Sequence, residues 1–468
     1  MSGTWSTSAG LDLHLELSGT RPRAALESAL RESVRGGRLP PGTSLPSSRV
    51  LARDLGVARN TVAEAYAQLV AEGWLAARHG SGTWVAERAG PQPKARVRAA
   101  SAPSRQRLRY DLRPGVPDLT AFPRAAWLAA ARKALASAPA TDLGYADPRG
   151  LDVLRTALAG YLGRVRGVAV TPDRIVVCAG FAQGLELVCV ALSARGVRTI
   201  GIESYGLAGH RHILASSGLG TRVLPVDDHG ADVSELGTCG AVLLTPSHQF
   251  PLGVALAPGR RRAVANWART SAAVVIEDDY DGEFRYDRQA VGALQSLAPD
   301  HVVYAGTASK SLAPGLRLGW LALPAALVDE VVAVKRDTGR LSASIDQLTL
   351  AEFITSGGYD RQVRRARLAY RQRRDRLVAA LAGRPEVTVT GISAGLHVLV
   401  GMPAGVSEHE VIGLAAERGL ALQGLSDSRA GGADLGPALV VGYATPPPHA
   451  FSTAIARLSA VLADCLPG

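Results

Sequence analysis

Within the eleven residues from Thr307 to Arg317 the chain places hydroxyls (Thr307 and Ser309, with Ser311 beyond them), one amine (Lys310) and one guanidinium (Arg317). A second cluster, Glu277-Asp278-Asp279-Tyr280-Asp281, adds four carboxylates and a phenol. An amine condenses with an aldehyde, hydroxyls and an arginine suit a phosphate, and a carboxylate neutralises a protonated ring nitrogen. Pyridoxal phosphate (PLP) presents all three groups, since it takes a lysine into a Schiff base and needs an acid near its pyridine nitrogen. Each residue alone has a plainer use: a lysine after a strand is usually a solvated charge, and acidic clusters cap helices or face water. The joint spacing is what points to the cofactor.

Elements able to position these groups are legible on either side. Val274-Val275-Ile276 is an uninterrupted β-branched run, as in a strand buried on both faces, and it ends in the acidic cluster. Val302-Val303-Tyr304 leads in the same way into Gly306-Thr307. Ligands of open α/β sheets bind beyond the strands' carboxyl ends, where both clusters would then stand. Ile175-Val176-Val177 runs into Gly180-Phe181-Ala182-Gln183-Gly184. A glycine turn that opens a helix points free N–H groups outward and can cradle a phosphate. From Tyr110 onward helices alternate with short apolar strands, the signature of an α/β domain.

The two motifs resemble those of fold-type I aminotransferases, and more closely the aminotransferase-like domain of the MocR/GabR subfamily of GntR regulators. That group reads roughly EDDYDxEFRY and GTxSKxLxPxLRxG; this chain has Glu277 to Tyr286 and Gly306 to Gly319 in those places. The resemblance implies that Lys310 forms the Schiff base with PLP. It implies that Asp278 pairs with the pyridinium nitrogen and that Tyr280 hydrogen-bonds the phenolic oxygen. Thr307, Ser309 and Arg317, with the backbone amides of Phe181 and Ala182, would hold the phosphate. Asp111 to Asp118, Gly144 to Gly150 and Thr245 to Gly253 (TPSHQFPLG) also resemble segments of this domain, and His248 or Gln249 would either face the cofactor or hold a turn.

Two positions depart from the family. Its EDPGY segment appears as Glu203-Ser204-Tyr205-Gly206-Leu207, so Leu207 replaces the aromatic that stacks on the PLP ring, with Tyr205 two residues earlier. In the last strand, Val440 stands where many aminotransferases carry an arginine for the substrate carboxylate; Arg429 is nearby but is not the aligned residue. An apolar side chain cannot replace a guanidinium–carboxylate contact. The site therefore reads as suited to PLP and poorly equipped for an ordinary amino acid, similar to the PdxR branch that controls vitamin B6 synthesis.

The first eighty-odd residues carry a different pattern. Apolar residues recur at helical spacing from Ala24 to Arg35; Pro46-Ser47-Ser48 offers caps for a second helix; a third runs from about Arg59 to Glu72. Trp74-Leu75 and Thr83-Trp84-Val85 flank a glycine-rich tip and read as a hairpin. Helix, turn, helix, hairpin is a winged helix-turn-helix, and the stretch from Leu39 to Val85 resembles the GntR family. The resemblance implies DNA contacts from Arg49 and from Arg59, Asn60 and Thr61 at the start of the recognition helix. His79-Gly80 at the wing tip would reach the minor groove or the backbone. Ala58 stands where the family commonly has serine or threonine, which costs a helix cap or a phosphate contact. Pro, Ala, Ser and Arg dominate the stretch between the two patterns, which reads as a flexible basic tether.

The expected organisation is a winged helix-turn-helix over 11–86, a linker over 87–109 and a fold-type I α/β effector domain over 110–468. Of the formal net charge of +11, residues 1–109 hold 16 Lys+Arg against 8 Asp+Glu, which suits an anionic partner such as operator DNA. Cys178, Cys189, Cys239 and Cys465 show no metal or CxxC spacing. With no signal-peptide or membrane-length apolar run, the chain reads as cytoplasmic. The leading expectation is a homodimeric transcription factor that senses PLP. Alternatives are amino-acid sensing through PLP, an aminotransferase with a DNA-binding head, and a repressor whose large domain is only a dimerisation body.

Overall fold

The computed structural model describes residues 5–8, 11–14, 21–78, 82–87, 108–145, 147–286 and 291–466. The chain divides into two compact units, Met1–Gln106 and Arg107–Gly468. Most of the stretch read as a tether, 88–107, lies outside the described residues, as does the wing tip His79-Gly80.

In the first unit the helices are Pro22–Arg35, Ser48–Leu55 and Arg59–Ala71. The first begins two residues before the apolar pattern does, because the fixed φ of Pro22 suits a first turn whose N–H has no partner anyway. The Ser47 hydroxyl accepts from the Val50 amide, and Gly56 closes the second helix at φ 68°. Strand Gly82–Val85 lies between Ser44–Leu45 and Leu75–Arg78, antiparallel to both. Leu26, Leu30, Leu51, Val62, Leu69 and Val85 close one core beneath them. Ala58 caps the third helix without a side-chain hydrogen bond. Ala58→Ser is therefore expected to stabilise this helix by about 1 kcal/mol, read as slower amide hydrogen exchange over Arg59–Ala71.

The second unit is built on a seven-stranded sheet. Its order is Ile175–Cys178, Gly319–Ala322, Val302–Thr307, Val274–Asp278, Ala241–Leu244, Thr199–Glu203, Gly220–Leu224. Gly319–Ala322 runs antiparallel to both neighbours, and all other pairs are parallel. Alternate residues feed two cores: Ile175, Val177 and Trp320 join one, while Val176, Cys178 and Leu321 join the other. Burial on both faces is why these strands read as unbroken apolar runs. Cys178, Cys189 and Cys239 are buried thiols.

A smaller three-stranded antiparallel sheet, Thr388–Thr390, His397–Gly401 and Ala438–Gly442, packs with helices Gly358–Leu381, Glu408–Glu417 and Pro448–Cys465 over a further core. Tyr110–Asp111 pairs in parallel with Leu420–Ala421, which anchors the start of the unit beside this sheet. Among the described residues no helix is long and apolar enough to cross a membrane.

Candidate functional site

The parallel strands end on one edge of the large sheet, and a cavity of about 230 Å³ opens there. Lys310, Asp278, Tyr280, Thr307, Ser309 and Phe181 all contribute to its wall, although they come from three separate strand–loop junctions. Ala182 and Arg317 do not line it. Ala182 is exposed in the first turn of helix Phe181–Ala194, and Arg317 lies behind Gly180.

Lys310 follows strand Val302–Thr307, and its Nζ donates to the Gly115 carbonyl at 2.5 Å. Burial lowers its pKa, partly countered by Asp278 and Asp281. An amine shifted this way holds more of the unprotonated, nucleophilic form. Asp278 is buried at the end of strand Val274–Asp278, and among the described residues its Oδ1 has no hydrogen-bond partner. Burial pushes this carboxyl well above the usual range, while Lys310 pulls it back. A buried, unpaired acceptor is costly and calls for an explanation.

Its neighbour Asp279 is fully paired. Arg166 donates through Nε and Nη2 to the two Asp279 oxygens at 2.7 and 3.0 Å, and the Tyr304 hydroxyl adds a third bond at 2.8 Å. Remaining Arg166 donors reach the carbonyls of Gly282 and Val291 and the Ser247 hydroxyl. Burial works against this guanidinium's charge, yet Asp279 holds its pKa above the ordinary value. Arg166 therefore fixes the loop that carries Asp278 to Asp281.

Tyr280 leaves that loop with its hydroxyl 3.1 Å from both Nδ1 and the carbonyl oxygen of His248. The Thr307 and Ser309 hydroxyls are 2.8 Å apart, and Thr307 Oγ1 also meets the Ser309 amide and the Leu318 carbonyl. Gly180 has φ 93° and opens helix Phe181–Ala194. A Cβ there would stand 3.7 Å from Arg317 Nη1, so the guanidinium lies beside the start of that helix. Free first-turn amides, two hydroxyls and one guanidinium make an anion site.

The two departures take definite places. Leu207 lines the cavity and is 44% exposed. Tyr205 also lines it, but its hydroxyl is held by the Ala433 carbonyl and the Leu435 amide. Val440 is buried in a core with Phe250 and Leu399, behind the wall. The Arg429 guanidinium is turned to Asp434 and the Gly432 carbonyl.

Among the wall residues that sequence reasoning missed, three carry ionisable groups from strand Thr199–Glu203 and helix Ala208–Ser216. Glu203, at the end of strand Thr199–Glu203, accepts from Thr245 Oγ1 at 2.6 Å, and burial raises its pKa to about 7. His210 packs 4.8 Å from the Phe181 ring, and burial lowers its pKa to about 4. Arg211 donates to the Gly206 and Ser428 carbonyls. The strand-end position of Glu203 was a usable signal. His210 and Arg211 sit in helix Ala208–Ser216, where nothing in their spacing marks them.

In the first unit Arg49, Arg59 and Asn60 are exposed and Thr61 is half-buried; Asn60 and Thr61 lie in the first turn of helix Arg59–Ala71. The helix therefore presents an arginine and polar groups at its start, as major-groove reading by a helix N-terminus requires.

Fold and site together define a winged helix-turn-helix joined to an aminotransferase-like α/β domain. Residues 22–85 match the model of the gntR family of bacterial regulatory proteins, and residues 115–426 match aminotransferase class I and II. The chain belongs to the HTH-type transcriptional regulators in which these two domains are fused. It is 33% identical over 459 residues to the pyridoxine biosynthesis transcriptional regulator PdxR of Corynebacterium glutamicum, covering 96% of this chain and 98% of that protein. It is 33% identical over 374 residues to MocR of Rhizobium meliloti, a probable rhizopine catabolism regulatory protein, covering 76% of each. Kynurenine aminotransferase of Pyrococcus horikoshii, solved in complex with PMP, matches with a TM-score of 0.69 at 22% identity, covering 78% of this chain and 93% of that one. At that identity the likeness shows the fold.

Proposed function

We propose that the large unit binds PLP and that the cofactor itself sets the affinity of the winged helix for its operator. The observation that carries this reading is the buried, unpartnered Asp278 Oδ1 in the same cavity as the Lys310 amine. A protonated pyridine nitrogen supplies the donor that this oxygen lacks, so the residues present fit PLP. When bound, PLP supplies an electrophilic aldehyde and an electron-withdrawing ring. Lys310 takes the covalent bond, Asp278 the ring nitrogen and Tyr280 the phenolic oxygen. Thr307, Ser309, Arg317 and the amides of Phe181 and Ala182 take the phosphate.

On the DNA side, Arg59, Asn60 and Thr61 read the major groove, with Arg49 and the wing tip at His79-Gly80 on the backbone or minor groove. The working form is a cytoplasmic homodimer over two half-sites, with the domain limits given by the sequence. Cofactor binding shifts operator affinity by its differential affinity for two states of the protein. The 33% identity to PdxR over nearly the whole chain, and Leu207 and Val440 where aminotransferases place substrate-handling residues, support PLP as the effector.

Arg211 in the cavity wall favours a second reading, in which an amino acid joins PLP and its carboxylate meets this guanidinium. Affinity for DNA upstream of the protein's own gene separates the two. With cofactor-stripped protein as reference, PLP alone is expected to change affinity about 5- to 150-fold, the usual range of allosteric coupling. If PLP is silent until an amino acid is added, the second reading holds.

A further inference from the structure

His248 stands outside the cavity wall yet is one of the most tightly enclosed polar side chains of the large unit. Its Nδ1 lies 2.8 Å from Asp281 Oδ2 and 3.1 Å from the Tyr280 hydroxyl, while its Nε2 is buried without a partner among the described residues. The imidazole and Asp281 are 3% and 2% exposed. The slot around them is made by glycines. A Cβ on Gly395 (φ 74°) would fall 2.1 Å from His248 Cε1 and 2.7 Å from Asp281 Oδ2, and one on Gly253 (φ 73°) would lie 3.5 Å from Nε2. Two loops thus give up side chains where the histidine–carboxylate pair passes.

A carboxylate oxygen 2.8 Å away favours the tautomer of His248 that carries its proton on Nδ1. Nδ1 is within hydrogen-bond distance of both Asp281 Oδ2 and the Tyr280 oxygen. The phenol can then accept from Nδ1 while its own hydrogen goes to the His248 carbonyl, to Asp281 or into the cavity.

Resting on the PLP reading above, we propose that His248 and Asp281 are a positioning pair for Tyr280: they orient its hydroxyl so that it donates to the phenolic oxygen of bound PLP. Donation to that oxygen draws charge from it and lowers the pH at which the Lys310 linkage gives up its proton. Other charged or titratable groups facing Tyr280 and His248 are Asp278 at the strand end, Glu203 from the neighbouring strand, His397 from the smaller sheet, and Lys310. All of them are unchanged in the variants below.

The test is a pH titration of the visible absorbance of the full-length protein loaded with PLP. Tyr280→Phe and His248→Leu are each expected to raise the midpoint by about one pH unit, the size of one modest differential interaction. His248→Asn keeps an N–H near the place of Nδ1 and should titrate close to the parent. The double variant His248→Leu/Tyr280→Phe should move no further than Tyr280→Phe alone, since both changes remove one interaction. Asp281→Asn keeps the shape and removes the charge, and serves if His248→Leu does not fold; a smaller upward shift is expected.

A parent that titrates while His248→Leu and Asp281→Asn both keep its midpoint would overturn the positioning role and leave the cofactor reading intact. Additive shifts in the double variant overturn it as well. A parent that shows no visible band with PLP, like Lys310→Ala, overturns the cofactor reading itself.

Discussion

Arg166→Met is expected to destabilise the large unit by about 3–5 kcal/mol, the cost of breaking a buried ion pair from one side. Asp279 is 1% exposed at its side chain and would be left with only the Tyr304 hydroxyl beside it. The methionine fills much of the volume, so the loss comes from the unpaired carboxylate and from the freed Ser247, Gly282 and Val291 contacts. Urea unfolding of the full chain would show the second unit's transition moving to lower denaturant. Arg166→Met/Asp279→Leu should recover a large part of the loss, because an apolar pair leaves no buried charge behind. If the double variant is as unstable as the single one, packing rather than the stranded carboxylate is the cause. PLP binding should weaken in Arg166→Met even where the protein is still folded, since the loop from Asp278 to Asp281 loses its anchor.

Lys310→Ala is expected to remove the visible band of the PLP-loaded protein and to weaken PLP binding by about two orders of magnitude, roughly 3 kcal/mol. The phosphate site, Asp278 and Tyr280 stay in place, so residual non-covalent binding should persist at high PLP. The PLP-dependent change in operator affinity should vanish with the covalent bond, while cofactor-free affinity stays at the parental level. Fluorescence titration with PLP and operator binding on the same preparation check both halves. If operator affinity of Lys310→Ala still responds to PLP at low concentration, the amine is not the sensing group.

What the sequence disclosed follows from range. Thr307, Ser309 and Lys310 lie at the end of one strand and the turn after it, and Asp278 and Tyr280 at the end of another, so their spacing is fixed locally and is legible without a structure. The recognition helix was equally readable, since Arg59 to Ala71 is one amphipathic segment stopped by Gly73. Contacts made across the chain were not. Arg166 meets Asp279 at a separation of 113 residues, and Lys310 meets Gly115 at 195. The role of His248 depends on Asp281 and on two glycines from other loops, and no local pattern announces that. Strand direction was hidden too: Gly319–Ala322 is as apolar as its neighbours but runs against them. Val440 is buried in a core, while Arg211, which does reach the wall, carried no signal in the sequence.

The hydrogen bond from Lys310 to Gly115 couples a chemical event to a place in the chain. An ammonium has three hydrogens to share; once its nitrogen is bound to a carbonyl carbon at most one is left, and a neighbouring phenolic oxygen competes for it. Gly115 belongs to the first stretch after residue 107 that is held in the large unit, through the pairing of Tyr110–Asp111 with Leu420–Ala421. On the cofactor reading proposed above, a change of bonding at Lys310 Nζ would alter its hold on the Gly115 carbonyl, in the segment that leads by covalent connection alone toward the winged helix.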